Sequence, residues 1–264
     1  MNAVNGSNRA NAFGLDEEQN AILDGADQAV SQSALATEAA SAERAASAAT
    51  AAERLADGAQ RVATARTAHA LDQLVATGAL TPDERAKVAA EDGTAALTRI
   101  LRRAELASHD PHTVLADAVQ RGPLSGSRSV ANVLYSRIRD SHRFDPVGER
   151  WTDWVPRTDD EGWNAYLQVL AEAADQRAAQ LGADAVAEPP RWAVDAFGEP
   201  PADQQARQRW QSAVGQVAAY REVRGHDDDT DPLGPAPQPG QVEQFAAHRA
   251  AWRALGRPEV EREH

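Results

Sequence analysis

A chain of 264 residues that is 42% hydrophobic but only 5% aromatic, with alanine dominant and β-branched runs scarce, favours helix over sheet almost everywhere. The absence of cysteine excludes disulfides and thiolate metal sites. No window reaches the roughly 18 uninterrupted apolar residues of a membrane span, and no basic-then-apolar leader opens the chain, so a cytoplasmic location is expected. A formal charge of −13 argues against general affinity for nucleic acid, yet residues 94–143 carry eight arginines against four acids, so any phosphate contact is expected there.

In chain order, residues 1–15 are small and polar and are expected to be disordered. An alanine-rich segment follows over 16–78, with nothing apolar larger than alanine between Leu35 and Leu55. High helix propensity with little to bury predicts a long exposed or weakly coiled-coil helix, with partial disorder as the alternative. Only its last part, with Leu55, Val62, Leu71, Leu74 and Val75, carries an apolar stripe, and Gly58 is expected to weaken the middle.

Residues 79–142 predict a small α-bundle of five short helices. Thr81-Pro82-Asp83-Glu84 is a capping box with proline at the first helical position. Asp92-Gly93-Thr94 breaks the chain again, and Leu97, Ile100, Leu101 and Ala104 form the next apolar face, with Arg99, Arg102 and Arg103 projecting elsewhere. Asp110-Pro111 starts another helix, Gly122-Pro123 stops it, and Ser127 or Ser129 caps the one that carries Val130, Val133, Leu134 and Ile138.

Residues 143–256 predict a second, tryptophan-containing helical unit. Its connector, 143–160, places Trp151 and Trp154 on the surface of one bundle or between two. A helix led by Trp163, Tyr166, Leu167 and Leu170 is expected to end near Leu181-Gly182, and a short piece spans Trp192–Phe197. Trp210, Val214, Val217 and Arg221 recur at helical spacing, as do Val242, Phe245, Arg249 and Trp252. Gly225 and Gly256 stand at their C-caps, and Asp231-Pro232-Leu233-Gly234-Pro235 must turn between them, so Trp210 and Trp252 can meet across the turn. Residues 257–264 read as a flexible tail.

No reagent stands out. The single lysine, Lys87, lies inside a capped helix, so no phosphate-binding P-loop is present, and no G-x-G-x-x-G turn opens a βαβ unit. Asp227, Asp229 and Asp231 alternate like a calcium loop, but Pro232 stands where glycine is required and Gln238 at the bidentate position; a solvated acidic turn is the simpler account. His109 and His112 flank a helix start without the further ligands that zinc needs. Ser125-Gly126-Ser127 lacks a nucleophile elbow's frame, and Tyr135, Tyr166 and Tyr220 sit where packing is the default. No catalytic residue, cofactor or metal is assigned.

Six stretches carry a resemblance: 97–111, Ser129 to Ile138, Pro190-Arg191-Trp192-Ala193, Val217 to Glu222, Asp231 to Pro235, and Ala250 to Pro258. In content and order they resemble the C-terminal, post-helicase region of conjugative relaxase–helicases of the TraA/TrwC type from GC-rich Gram-positive plasmids, over about 79–258. In that family an N-terminal domain nicks DNA with a tyrosine and a histidine-bound metal, and a helicase follows. Nothing of that machinery is matched here, so the resemblance implies a tail region, as a fragment or a separate product, without enzymatic activity.

The expectation is therefore an all-α protein that acts as an accessory or recruitment module in plasmid transfer. Relaxosome proteins or the coupling protein would be its partners, met through acidic faces and the aromatic residues Trp192, Trp210, Tyr220, Phe245 and Trp252. The alternative is a single-stranded nucleic-acid-binding module using Arg99, Arg102, Arg103, Arg121, Arg128, Arg137 and Arg139.

Overall fold

The computed structural model describes residues 49–238 and 240–258, all within one compact unit. The disorder expected over 1–15, the first half of the alanine-rich segment and most of the flexible tail lie outside the described residues. Within them the chain is all-α, without strands. The helices are α1 (49–76), α2 (Pro82–Ala90), α3 (Thr94–Leu106), α4 (Pro111–Gln120), α5 (Val130–Ser141), α6 (Glu161–Ala187), α7 (Arg191–Phe197), α8 (Gln204–Arg224) and α9 (Val242–Ala254). A 3-10 turn spans Trp151–Trp154 between α5 and α6.

The described part of α1 is not an exposed helix. Its inward face, Ala52, Leu55, Ala59, Val62, Ala63, Thr67, Leu71 and Leu74, recurs at the helical period and is buried along its length. Small side chains permit this by letting neighbouring helices come close. A Cβ on Gly58 would stand 2.5 Å from Leu167 Cδ2 on α6, so this glycine marks a close crossing and not a weak point. α1 thereby contributes to two hydrophobic clusters, Ala52, Leu55 and Val62 to one, and Ala70, Leu71 and Leu74 to the other.

The second of these clusters is the bundle of α2–α5, four helices where five were expected. Its helices begin where local chemistry starts them. Thr81 and Glu84 complete a reciprocal capping box, Asp110 accepts from Thr113 N at 2.9 Å, and Ser129 accepts from Asn132 N at 3.3 Å. Glu91, just past α2, adds a non-local cap: its carboxylate accepts from Val130 N at 3.0 Å and Ala131 N at 2.8 Å.

The first cluster surrounds the 3-10 turn, α6, α8 and α9. Trp151 and Trp154 are buried there, their rings edge to face with centroids 5.3 Å apart, so the surface position considered for them is corrected in favour of the junction. α6 does not stop at Gly182 but runs on to Ala187, because Gly182 serves a crossing. A Cβ on Gly182 would lie 2.3 Å from Gln211 O, and one on Gly215 2.3 Å from Ala178 O. As the α6 partner rises from 178 to 182, the α8 partner falls from 215 to 211, so the helices run antiparallel with backbones in contact. Arg177 locks the same pair, its Nε and Nη2 meeting Glu222 at 3.0 and 2.7 Å. α8 ends at Gly225 in the left-handed region, φ 58°, as its position predicts.

An ordinary helix position gains about 1 kcal/mol when glycine becomes alanine. Gly215→Ala should do the reverse and lower stability by about 1–3 kcal/mol through the clash with the Ala178 carbonyl, measured by chemical denaturation. An unchanged or raised midpoint would refute the close crossing.

Candidate interaction surface

Several of the arginines proposed for phosphate contact are engaged within the fold. Arg102, at 2% exposure, is among the most deeply buried side chains. Its guanidinium donates through Nε to Glu243 Oε1 at 3.0 Å, through Nη1 to Glu105 Oε2 at 2.6 Å, and through Nη2 to the Trp154 carbonyl. Glu105 also pairs with Arg66 on α1. This one side chain ties α3 to α9 and to the 3-10 turn, and the expectation that it reaches nucleic acid is corrected. Burial pushes the Glu243 carboxyl up, against the pull of Arg102.

Arg103 lies half-buried over the Phe245 ring, 4.5 Å from its centroid. Arg137 donates to the carbonyls of Ala118 at 2.9 Å and Gly122 at 3.0 Å, closing the C-terminus of α4. Arg99 is half-buried, whereas Arg121, Arg128 and Arg139 are exposed; Arg121 donates to the Arg137 carbonyl and Arg139 pairs with Asp140.

The aromatic residues expected to form a docking face are packing residues. Trp192, Trp210 and Tyr220 are buried, and Phe245 and Trp252 are half-buried. Trp210 Nε1 donates to the Gly198 carbonyl at 3.0 Å, while Trp252 contacts His248 and lies under Arg257, so each ring finds a partner other than the one foreseen across the turn. Sizeable apolar exposure occurs elsewhere, at Val147, Tyr166 and Val169.

The acidic loop after α8 is built around a buried cation. Arg221 donates to the carbonyls of Asp231 at 2.6 Å and Asp228 at 2.8 Å, and its guanidinium lies 4.9 Å from the Trp192 ring centroid. The Asp228 carboxylate accepts from Thr230 N at 2.7 Å and Asp231 N at 3.2 Å, which turns it inward on its own loop. Arg249 makes a bidentate pair with Asp145, at 2.6 and 2.8 Å, and Arg253 donates to the carbonyls of Pro146 and Gly148, so α9 clamps the connector.

Sequence reasoning placed Arg221 and Arg249 on apolar stripes without drawing the consequence. A charged side chain in a core register needs a buried partner, and that was the available signal. Glu243, Glu91 and Asp145 left no such trace, because their partners lie far away in sequence.

His109 packs edge-on against Phe144, and His142 stacks on the same ring, with centroids 5.3 Å apart in both cases. His112 lines a separate hollow of about 120 Å³ with His69 and Asp110. Among the described residues no group of three histidine or acidic side chains could hold a metal ion. Tyr135 faces Arg139, Tyr166 pairs with Trp163, and Tyr220 meets His248.

No protein-family model matches the chain, and no curated protein or solved structure matches it significantly.

Two outcomes follow from the buried polar groups. Arg102→Met leaves Glu243 buried without its cation and should cost about 3–5 kcal/mol, whereas adding Glu243→Leu should restore most of the loss; denaturant titration of both variants decides, and equal losses would refute the pairing. His248, 3% exposed, sits at about 4 instead of 6.5 because burial penalises its charged form and Arg249, Arg257 and Arg224 repel it. The native state thus keeps His248 neutral while the unfolded chain binds a proton below 6.5. Its contribution is complete above that pH and fades as pH falls towards 4, by about 3 kcal/mol at roughly 1.4 kcal/mol per unit. Across that window the wild type should lose more stability than His248→Phe by this amount, read from unfolding midpoints; parallel pH profiles would overturn it.

Proposed function

We propose that the chain is an accessory or recruitment module in conjugative plasmid DNA transfer, acting through its surface and without enzymatic activity. The observation that carries this reading is the ordered series of six stretches resembling the post-helicase region of relaxase–helicases. Their positions in the fold are consistent with a shared scaffold. Leu97, Leu101, Leu134, Trp192, Val217, Tyr220, Leu233 and Ala250, all from those stretches, are buried. Several polar members of the series are structural as well: Arg102 joins the two clusters, and Arg221 organises the loop of Asp231 to Pro235. What resembles the family is thus the frame of the module, and its docking chemistry lies on the outer surface. The nucleic-acid alternative retains Arg121, Arg128 and Arg139 as exposed cations.

The test is co-purification of the full chain with the coupling protein and relaxosome components of a conjugative plasmid, together with a binding assay on single-stranded DNA. The recruitment reading expects a stable protein complex. It also expects DNA retardation, if any, to be weak, since three exposed cations supply few phosphate contacts. Recovery of no transfer protein would overturn the reading. Salt-dependent binding of single-stranded DNA, lost on replacing Arg121, Arg128 and Arg139 by glutamate, would establish the alternative.

A further inference from the structure

The last described helix, α9, is held by a different kind of contact from the helices it lies on. Its enclosed apolar face consists of Val242, Ala246, Ala247, Ala250 and Ala251, and only the first of these exceeds alanine. By contrast α3 buries Leu97, Ile100 and Leu101, and α8 buries Trp210, Val217 and Tyr220. Alanine removes little area from water, so apolar burial holds α9 weakly by comparison. Phe245 and Trp252 are half-buried. The Trp252 indole donates to the Pro258 carbonyl at 2.8 Å, and its ring meets His248 and Arg257, all within residues 248–258. Such contacts travel with the helix and do not tie it down.

What ties it down is charge. Glu243 accepts from the Arg102 guanidinium of α3 at 3.0 Å, and Arg249 pairs with Asp145 at 2.6 and 2.8 Å. Arg253 donates to the carbonyls of Pro146 and Gly148 at 2.9 and 2.7 Å. At the N-cap, Gln241 accepts from Arg224 of α8 at 3.4 Å. The attraction in an ion pair is largely offset on separation, because water rehydrates each ion. His248 is 3% exposed and its Nδ1 hydrogen-bonds to no other described residue, a burial that opening relieves.

The elements beneath α9 have holds of their own. Asp175 of α6 accepts from Trp151 N at 2.8 Å and Thr152 N at 3.2 Å, and Gln216 of α8 donates to the Glu149 carbonyl at 2.6 Å. Arg102 keeps Glu105 and the Trp154 carbonyl if Glu243 departs. Ala247 and Ala250 also line a cleft of about 440 Å³ together with Trp151, Trp154 and Tyr220, so α9 is undercut on that side instead of close-packed.

We propose that α9 is a charge-latched strap: it opens as one unit while the other described helices stay packed, and its opening turns the cleft into an exposed face floored by Trp151, Trp154 and Tyr220. This device goes beyond the recruitment reading and does not require it.

Native-state hydrogen exchange of the full chain at low denaturant is the test. The α9 amides should share one opening equilibrium, at least about tenfold more populated than the opening that releases α3 and α5. Its denaturant dependence should be the smaller of the two, because less surface is exposed. Ile138→Val, at a 1% exposed site in the α2–α5 cluster, weakens packing that the open state retains. It should speed exchange in α3 and α5 by about twofold to tenfold and leave α9 unchanged. Arg249→Met removes a grip that only the closed state has and should speed the α9 amides by about tenfold.

Exchange of α9 only together with α3 and α5, or rates graded residue by residue from Ala254 inward, would overturn the strap. So would a parallel response of α9 to Ile138→Val, or α9 rates that Arg249→Met leaves unchanged.

Discussion

The fold depends on a desolvated charge seam between two hydrophobic clusters. Arg102 sits at 2% exposure where α3, α9 and the 3-10 turn meet, and a guanidinium so placed is tolerable only if its donors are satisfied. Glu243, Glu105 and the Trp154 carbonyl supply three directions that a planar fork can reach together. Apolar contacts would allow α9 to slide against α3; these bonds do not. Downstream on the same helix, Arg249 and Arg253 grip Asp145 and the carbonyls of Pro146 and Gly148. α9 therefore fixes the connector, and the connector carries the 3-10 turn that completes the seam.

An alanine-rich chain has little area per residue to bury, and this one compensates by close approach. At Gly182 and Gly215 the α6 and α8 backbones touch, and at Gly58 α1 comes against Leu167. Close approach recovers dispersion contacts that larger side chains would otherwise supply, at the expense of tolerance, since an added methyl has nowhere to go. Four tryptophans, Trp151, Trp154, Trp192 and Trp210, all pack in the cluster around α6, α8 and α9. The same economy of side-chain volume leaves the alanine-walled hollow beside the 3-10 turn.

What the sequence disclosed was mostly local. The capping box at Thr81, the cap at Asp110 and the left-handed Gly225 are decided within a few residues and could be read directly, whereas the choice between Ser127 and Ser129 fell to Ser129 only in the fold. Gly182 misled because a glycine inside a helix and a glycine ending one look alike until the neighbouring backbone is known. α1 misled because its packing depends on what α3 and α6 offer it, which no window of its own sequence contains. For the surface the difficulty was sharper. Tryptophan is as characteristic of interfaces as of cores, and only burial distinguishes the two.

Burial also changes the electrostatic reading. Among the described residues Arg102, Arg177, Arg221 and Arg249 are buried, against one acid, Glu243. Removing more cations than anions leaves the surface of the described residues more negative than their formal charge. Such a field repels phosphate and steers cationic surfaces inward from a distance, while screening limits it to about 10 Å at ordinary ionic strength. Contact is a separate matter, governed by the groups that meet.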